Sequence, residues 1–284
     1  MRGDLHCHSK FSDGSCGIEY IVSMAKRCHL DFISITDHDN ISSISRVKVL
    51  SDRLNINIIV GVELSAYDYK RNAKVHILCY MPQIPDRLEG ICLKTTTNRK
   101  NAGIQMAKNV TANFPITMHD IEEISSASPV IYKQHIMQAL MNAGYTNQIF
   151  GSLFDKLFSK ENGTCLVKYE LPDVYEVIDL VKQSGGLAVM AHPNTYNSMD
   201  LLKELIEKKL LDGIEVWSSK STPQQELELY LMAIDNNLMS FGGSDFHGAY
   251  IKRPSPIGYK FTPPETMDKI AQLYFKSDAV KSVR

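Results

Sequence analysis

Asp4-Leu5-His6-Cys7-His8, followed by Phe11-Ser12-Asp13-Gly14, is the stretch around which this 284-residue chain is organised. Side chains on an extended strand alternate faces, so His6 and His8 share one face and Leu5 and Cys7 take the other, apolar one. Asp13 adds a carboxylate in the turn that follows. A His-x-His pair alone is short and recurs by chance, so its weight comes from the strand-like runs further along. Phe32-Ile33-Ser34-Ile35-Thr36 ends in Asp37-His38-Asp39, and Ile58-Ile59-Val60-Gly61-Val62 ends in Glu63. Lys74-Val75-His76-Ile77-Leu78 carries a histidine inside the run. Gly186–Ala191 ends in His192-Pro193, Gly213–Trp217 contains Glu215, and Phe241–Ser244 ends in Asp245-Phe246-His247. Helical patterns separate most of these runs. In barrels of alternating strands and helices, the carboxyl ends of the strands are where the site is built.

Composition bounds the class. The chain is 44% hydrophobic and 22% charged, enough to bury a large core, and its length suits one barrel-like domain with an insertion, or two domains. A net charge of −1 argues against a broad polyanion-binding surface, so any nucleic-acid contact is expected to be local. The six cysteines form no CxxC pair, and no secretory apolar stretch follows Met1; they read as reduced thiols of a cytoplasmic protein. No apolar run reaches transmembrane length, so no membrane partner is expected.

Along the chain, Ser15 is expected to cap a helix whose apolar face is Ile18, Ile21, Val22, Ala25 and Cys28. A second helix is expected over 41–54, and the order β-α-β-α-β-β up to Tyr80 suggests a mostly parallel sheet. The character changes at Met81-Pro82 and Ile84-Pro85. Helical patterning then fills 86–163, with helices expected over 88–110, 119–124, 130–142 and 148–159, and Gly144 closing one of them. Strand-helix alternation resumes after Pro172, with a last helix over 265–275. The expected architecture is therefore α/β, a closed or nearly closed barrel over residues 1–84 and 166–284, interrupted by a helical subdomain at 85–165.

Imidazoles and carboxylates without thiolates suit Zn²⁺, Mn²⁺ or Fe²⁺. More ligand-type residues are present than one tetrahedral ion can use, which implies a site with more than one ion, with Glu63 free to bridge. Paired divalent ions generate hydroxide near neutral pH and hold both the phosphate and the leaving oxygen of an ester. The chain has no GxxxxGK[ST] phosphate loop, no GxGxxG after a strand and no G-x-S-x-G elbow, which leaves nucleotide-dependent transfer and serine hydrolase chemistry without support.

The ordered set Asp4-Leu5-His6-Cys7-His8, Ser12-Asp13-Gly14, Ile35-Thr36-Asp37-His38-Asp39, Gly61-Val62-Glu63, Ala191-His192-Pro193 and Gly243-Ser244-Asp245-Phe246-His247 resembles the PHP (polymerase and histidinol phosphatase) family of metal-dependent phosphoesterases. The resemblance implies a distorted (β/α)7 barrel with up to three divalent ions. It puts one ion on His6, His8, Glu63 and Asp245, a second on Glu63, His76 and His192, and a third on Asp13, His38 and His247. It gives Asp37 the task of orienting neighbouring imidazoles, and Glu215 either that task or a packing one. His192, Asp245 and His247 are the candidates for assisting the departing alkoxide.

The insertion resembles the branch that acts on 5′-AMP-like or 3′,5′-bisphosphate nucleotides and short RNA 5′ ends, more than the histidinol phosphatase branch. An Arg-Pro-His triplet contacts substrate phosphate there; Lys133-Gln134-His135 stands here, and lysine lacks the bidentate fork of arginine. Arg99 is a further phosphate candidate. The expected activity is hydrolysis of a small phosphomonoester, most simply on a nucleotide or the end of a short oligonucleotide. The rivals are a histidinol-phosphate-type phosphatase, an amidohydrolase-like metal hydrolase, and a non-catalytic metal- or nucleotide-binding module. His76 is the metal candidate with the strongest competing role, since a lone mid-strand histidine is ordinarily a hydrogen-bonded core residue. His29 and His119 fall outside the strand-end pattern and read as surface, and Trp217 reads as packing.

Overall fold

A computed structural model describes residues 1–281. Its strands are β1 (Gly3–Cys7), β2 (Phe32–Ile35), β3 (Asn57–Asp68), β4 (Ala73–Tyr80), β5 (Leu187–Met190), β6 (Gly213–Ser218) and β7 (Met239–Gly243). They form one seven-stranded sheet in sequence order. The helices are α1 (Ile18–Arg27), α2 (Ser43–Leu54), α3 (Glu89–Thr111), α4 (Met118–Ser125), α5 (Lys133–Asn142), α6 (Ser152–Phe158), α7 (Val174–Gln183), α8 (Met199–Glu207), α9 (Pro223–Asp235) and α10 (Pro264–Lys281).

The sheet is parallel except at β4, which runs antiparallel to both β3 and β5. Its reversal follows from the connection: only Tyr69–Asn72 separate β3 from β4, enough for a hairpin and far too few for a crossover. β3 is long. Residues 57–60 pair with β2, whereas 64–68 pair with β4 beyond the end of β2, so the hairpin extends past the rim of the barrel. The last seam is nearly closed. His8 N–H donates to Phe246 O at 2.8 Å, and Cys7 bridges Phe246 in parallel. Gly243 lies so close to β1 that a Cβ there would stand 2.4 Å from His6 Cβ, which excludes any other residue at this crossing.

Leu5 and Cys7, expected on one apolar face, belong to different clusters. Leu5 packs with Phe32, Ile59, Tyr80, Phe241 and Met267, and Cys7 packs with Ile18, Ile21, Val22, Ile33 and Ile35 under α1 and α2. The cause is an irregularity in β1, whose register with β2 shifts between Asp4 and Cys7. Each such fully buried large side chain contributes roughly 1.5–3 kcal/mol. α1 buries the expected Ile18, Ile21, Val22 and Ala25. It starts from Gly17, however, and Ser15 makes no cap; its hydroxyl instead accepts the N–H of Ala249.

Between β4 and β5, α3 to α6 share a separate apolar cluster that includes Met106, Val110, Ile121, Ile136, Leu140, Leu157 and Phe158. α3 approaches residue 131 so closely that a Cβ on Gly103 would stand 2.2 Å from Ile131 O. α5 begins at Lys133, three residues later than the sequence pattern suggests, because the chain leaves Pro129 through a bend and Tyr132, in extended conformation, takes the N-cap. Gly144 follows α5 at φ +82°, the left-handed turn that suits glycine. Among the described residues no helix is long and apolar enough to cross a membrane.

Candidate metal centre

Glu63, in the middle of β3, is the hub of the rim. Its Oε1 lies 2.9 Å from His76 Nδ1 and 3.0 Å from His192 Nε2. Its Oε2 lies 3.3, 3.2 and 3.1 Å from His6 Nε2, His8 Nε2 and His38 Nδ1. Asp245, just beyond β7, presents Oδ1 to His6, His8 and His247 at 3.5, 3.2 and 3.5 Å. Asp13 lies 3.3 Å from His247 Nε2 and 3.7 Å from His8 Nδ1 through one oxygen, and 4.0 Å from His38 Nε2 through the other. All nine ligand-type residues singled out in the sequence are thus brought to one rim.

The ligand atoms fall into four overlapping sets, each within 4.8 Å: His8, Asp13, His38 and His247; His6, Glu63 and His192; His6, His8 and Asp245; His38, Glu63 and His76. His76 reaches the rim because β4 runs backwards: its first half lies at the end where the parallel strands finish, with His76 opposite Ser65. Three rim residues adopt left-handed backbone, Asp39 at φ 49°, His192 at 25° and Asp245 at 50°. For non-glycine residues this costs roughly 1–2 kcal/mol each, and it turns the chain sharply at two of the ligand positions, His192 and Asp245.

Glu215 holds the imidazoles from behind. One of its oxygens lies 2.7 Å from His6 Nδ1, and the other accepts the His192 N–H at 2.8 Å. Asp37 departs from expectation. It accepts from Ser9 N–H, Ser9 Oγ and Ser12 Oγ at 2.7, 2.6 and 2.6 Å, so it fixes the loop between His8 and Asp13 and leaves the orientation of His6 to Glu215. The loop lies directly against the end of β2, which is why its hydroxyls reach Asp37 first.

The carboxylates of Asp13, Glu63 and Asp245 are ionised despite their burial. Burial alone would raise Glu63, but the imidazoles of His76, His38 and His6 hold it well below the usual range. Asp245 is likewise buried and still held well below, by Lys220 and the imidazoles of His6 and His247. Burial would lower His8, yet Asp245 and Glu63 raise it to about 10. His38 goes the other way, pushed well below its usual value by burial.

A divalent cation fits this donor set. His8 Nδ1, Asp13 Oδ1, His38 Nδ1, Glu63 Oε2, His192 Nδ1 and Oδ1 of Asp245 are buried without a hydrogen-bond partner. Buried polar atoms are seldom left so, and here they converge on one place with the nitrogen and oxygen character that Zn²⁺, Mn²⁺ and Fe²⁺ take.

The expected phosphate contacts divide. Lys133 and His135 open α5 beside the rim. His135 Nδ1 accepts the Tyr132 N–H at 3.2 Å, which leaves the ring proton on Nε2, and burial lowers its pKa to about 4 so that it stays neutral. Lys133 is lowered to about 8 by burial and by the nearby ammonium groups of Lys74 and Lys160. Arg99 is occupied. It donates to Tyr169 OH, Tyr132 OH and Ser65 Oγ at 3.0, 3.1 and 2.6 Å and stands 2.7 Å from Asp39, so it ties α3 to β3 and could meet a phosphate only by giving up one of these partners.

Several rim residues went unread in the sequence. Gln134 donates to Asp13 Oδ2 at 3.2 Å, which joins α5 directly to the centre. Lys220 contacts Asp245 Oδ2. Lys160 stands 6.0 Å over the ring of Tyr196, itself 5.1 Å from His76. Lys74 alone had a usable signal, two residues before His76 on the same face of β4.

A PHP domain family model matches residues 4–277. Over 262 residues the chain is 33% identical to the phosphoribosyl 1,2-cyclic phosphate 1,2-diphosphodiesterase of Eggerthella lenta, covering 92% of this chain and 99% of that one. It is 28% identical over 282 residues to the 5′-3′ exoribonuclease Rnm of Escherichia coli, covering 95% and 93%. A solved structure from Bifidobacterium adolescentis, assigned as a metal-dependent phosphoesterase, superposes with a TM-score of 0.84 at 28% identity, covering 94% of both chains.

Proposed function

The chain belongs to the PHP domain family, and on that footing we propose that it hydrolyses phosphoester bonds on a small phosphorylated ribose or nucleotide. The ligands we propose for its divalent ions are His6, His8, Asp13, His38, Glu63, His76, His192, Asp245 and His247. The observation that carries this reading is the convergence of buried, unpartnered imidazole and carboxylate atoms at one rim. Two to three bound ions would supply an activated water and positive charge for the phosphoryl oxygens.

The chain's own residues do the rest. Glu215 and the loop fixed by Asp37 hold the imidazoles and Asp13 in place, so little reorganisation is needed when substrate binds. The first turn of α5 supplies Lys133, the neutral Nε2–H of His135 and the positive end of the helix, all suited to a phosphate. Lys74 and Lys160 add charge for a second anionic group. That crowding supports a substrate with two, because an ammonium already suppressed by its neighbours is relieved when an anion arrives. We propose His192 or His247 as the group that hands a proton to the leaving oxygen; His247 lies 3.5 Å from Asp245 and His192 lies 3.0 Å from Glu63.

The two relatives named above act on a cyclic ribose phosphate and on RNA, and both of those substrates carry phosphodiesters on ribose. We therefore extend the reading from monoesters to diesters on the same sugar. The test is a Mn²⁺-supplemented panel: nucleoside 3′,5′-bisphosphates, 5′-phosphorylated short RNA, a ribose cyclic phosphate, histidinol phosphate, and a set of amides and lactones. Phosphate or nucleotide release confined to the ribose esters is the expected result. Turnover of amides or lactones alone, or tight binding of every ester without release, would overturn it.

A further inference from the structure

Lys220 lies on the loop after β6, and its side chain, 34% exposed, reaches inward to a carboxylate that is 1% exposed. The contact is selective between the two oxygens of Asp245. Lys220 Nζ meets Oδ2, while Oδ1 faces His6, His8 and His247. Of the three carboxylates proposed as ligands, Asp13, Glu63 and Asp245, only Asp245 has an ion pair with a lysine or arginine among the described residues. Neither the motifs nor the family match assigns this lysine a task.

We infer that Lys220 is a positioning residue that restricts Asp245 to one ligand oxygen and, through its charge, lowers the cation affinity of the His6–His8–Asp245 group. The inference rests on the proposed metal centre. A carboxylate with both oxygens free can take an ion bidentately; with Oδ2 held by an ammonium, the ion keeps a position open for water or a phosphoryl oxygen, as catalytic sites do. The weaker binding is the cost of that open position.

The experiment is a titration of chelator-stripped protein with MnCl2 alone, following free Mn²⁺ by electron paramagnetic resonance, for the wild type, Lys220→Met, Lys220→Gln and Lys220→Arg. Both neutral variants should bind the ion of this group at least about tenfold more tightly, the Coulomb effect of removing one ammonium a few ångströms from a dication even with water-like screening. Lys220→Arg keeps the charge and should stay within about threefold of wild type. The sign is diagnostic, since loss of a merely structural lysine would loosen the site. Unchanged or weaker binding in the neutral variants, with thermal melts like the wild type's, overturns the inference. A wild type that takes up no Mn²⁺ overturns the metal centre itself, whereas a wild type that binds normally beside neutral variants that do not tighten overturns the Lys220 role alone.

Discussion

Raising the pH from 7 to 9 should weaken substrate capture through one side chain, Lys133. Burial and the ammonium groups of Lys74 and Lys160 bring it down to about 8. A group with that value is about nine-tenths charged at pH 7 and about one-tenth at pH 9. The charged form is the one that attracts phosphate, so the loss comes as pH rises through 8. The substrate contributes no opposing trend, because a phosphomonoester with its second pKa near 6 is already dianionic across this range. A hydrogen bond from a charged donor contributes about 1.5–3 kcal/mol, or about ten- to a hundredfold in affinity. The expected result is a fall in kcat/KM of about five- to tenfold between pH 7 and 9, carried by KM. Lys133→Arg, charged throughout, should flatten the profile, and Lys133→Met should sit about ten- to a hundredfold lower and also be flat. The assay is initial-rate kinetics at fixed Mn²⁺ on the best substrate of the panel. Parallel declines in wild type and Lys133→Arg, or an unchanged KM in Lys133→Met, would refute the assignment of this lysine to substrate phosphate.

Asp245→Ala and His8→Ala should each lower kcat by at least about a thousandfold, the loss of several kcal/mol of charge stabilisation, and chelation followed by Mn²⁺ should abolish and restore wild-type turnover but not theirs. His135 gives a pH-dependent stability. Its folded value of about 4 lies below the unfolded 6.5, so the unfolded chain takes up the extra proton as pH falls, and its contribution shrinks by about 1 kcal/mol between pH 7.5 and 5.5. In urea unfolding of metal-free protein the difference between wild type and His135→Asn, which keeps an acceptor for Tyr132 N–H, should show that slope, and parallel pH profiles would refute it. Arg99→Gln should destabilise by about 3–5 kcal/mol in the same unfolding assay, because it leaves Asp39 buried without its cation; a full-strength fold with a raised KM would instead return Arg99 to the phosphate.

The barrel was legible because its strands are short apolar runs that finish in imidazoles and carboxylates, a pattern that survives without knowledge of strand direction. Direction itself is not written in hydrophobicity, so the reversal of β4, signalled only by the short connection Tyr69–Asn72, went unread in the expectation of a mostly parallel sheet. The carboxylates behind the ligands show a second limit. Asp37 and Glu215 look alike in sequence, each close to a strand end, yet one fastens a loop and the other aligns His6 and His192. Their difference depends on which donors arrive first in three dimensions. Gln134, Lys160 and Lys220 left no periodic trace because they come from a helix start and two loops.

The reversal of β4 has a consequence for how the two halves of the site meet. On a strand running with its neighbours, a lysine two residues before a rim histidine would lie deeper in the barrel, among apolar side chains. On β4 the same spacing carries Lys74 outward, beyond His76, along the part of the hairpin that has no β2 beside it. There Lys74 stands 5.6 Å over the ring of Tyr169, whose hydroxyl accepts from Arg99 on α3, and its charge is felt by Lys133 at the start of α5. One strand therefore gives an imidazole to the proposed ions and an ammonium to the proposed phosphate pocket. The barrel and the helices between β4 and β5 are coupled through this hairpin, and substrate selection by those helices would act on the same rigid element that supports Glu63 and His76.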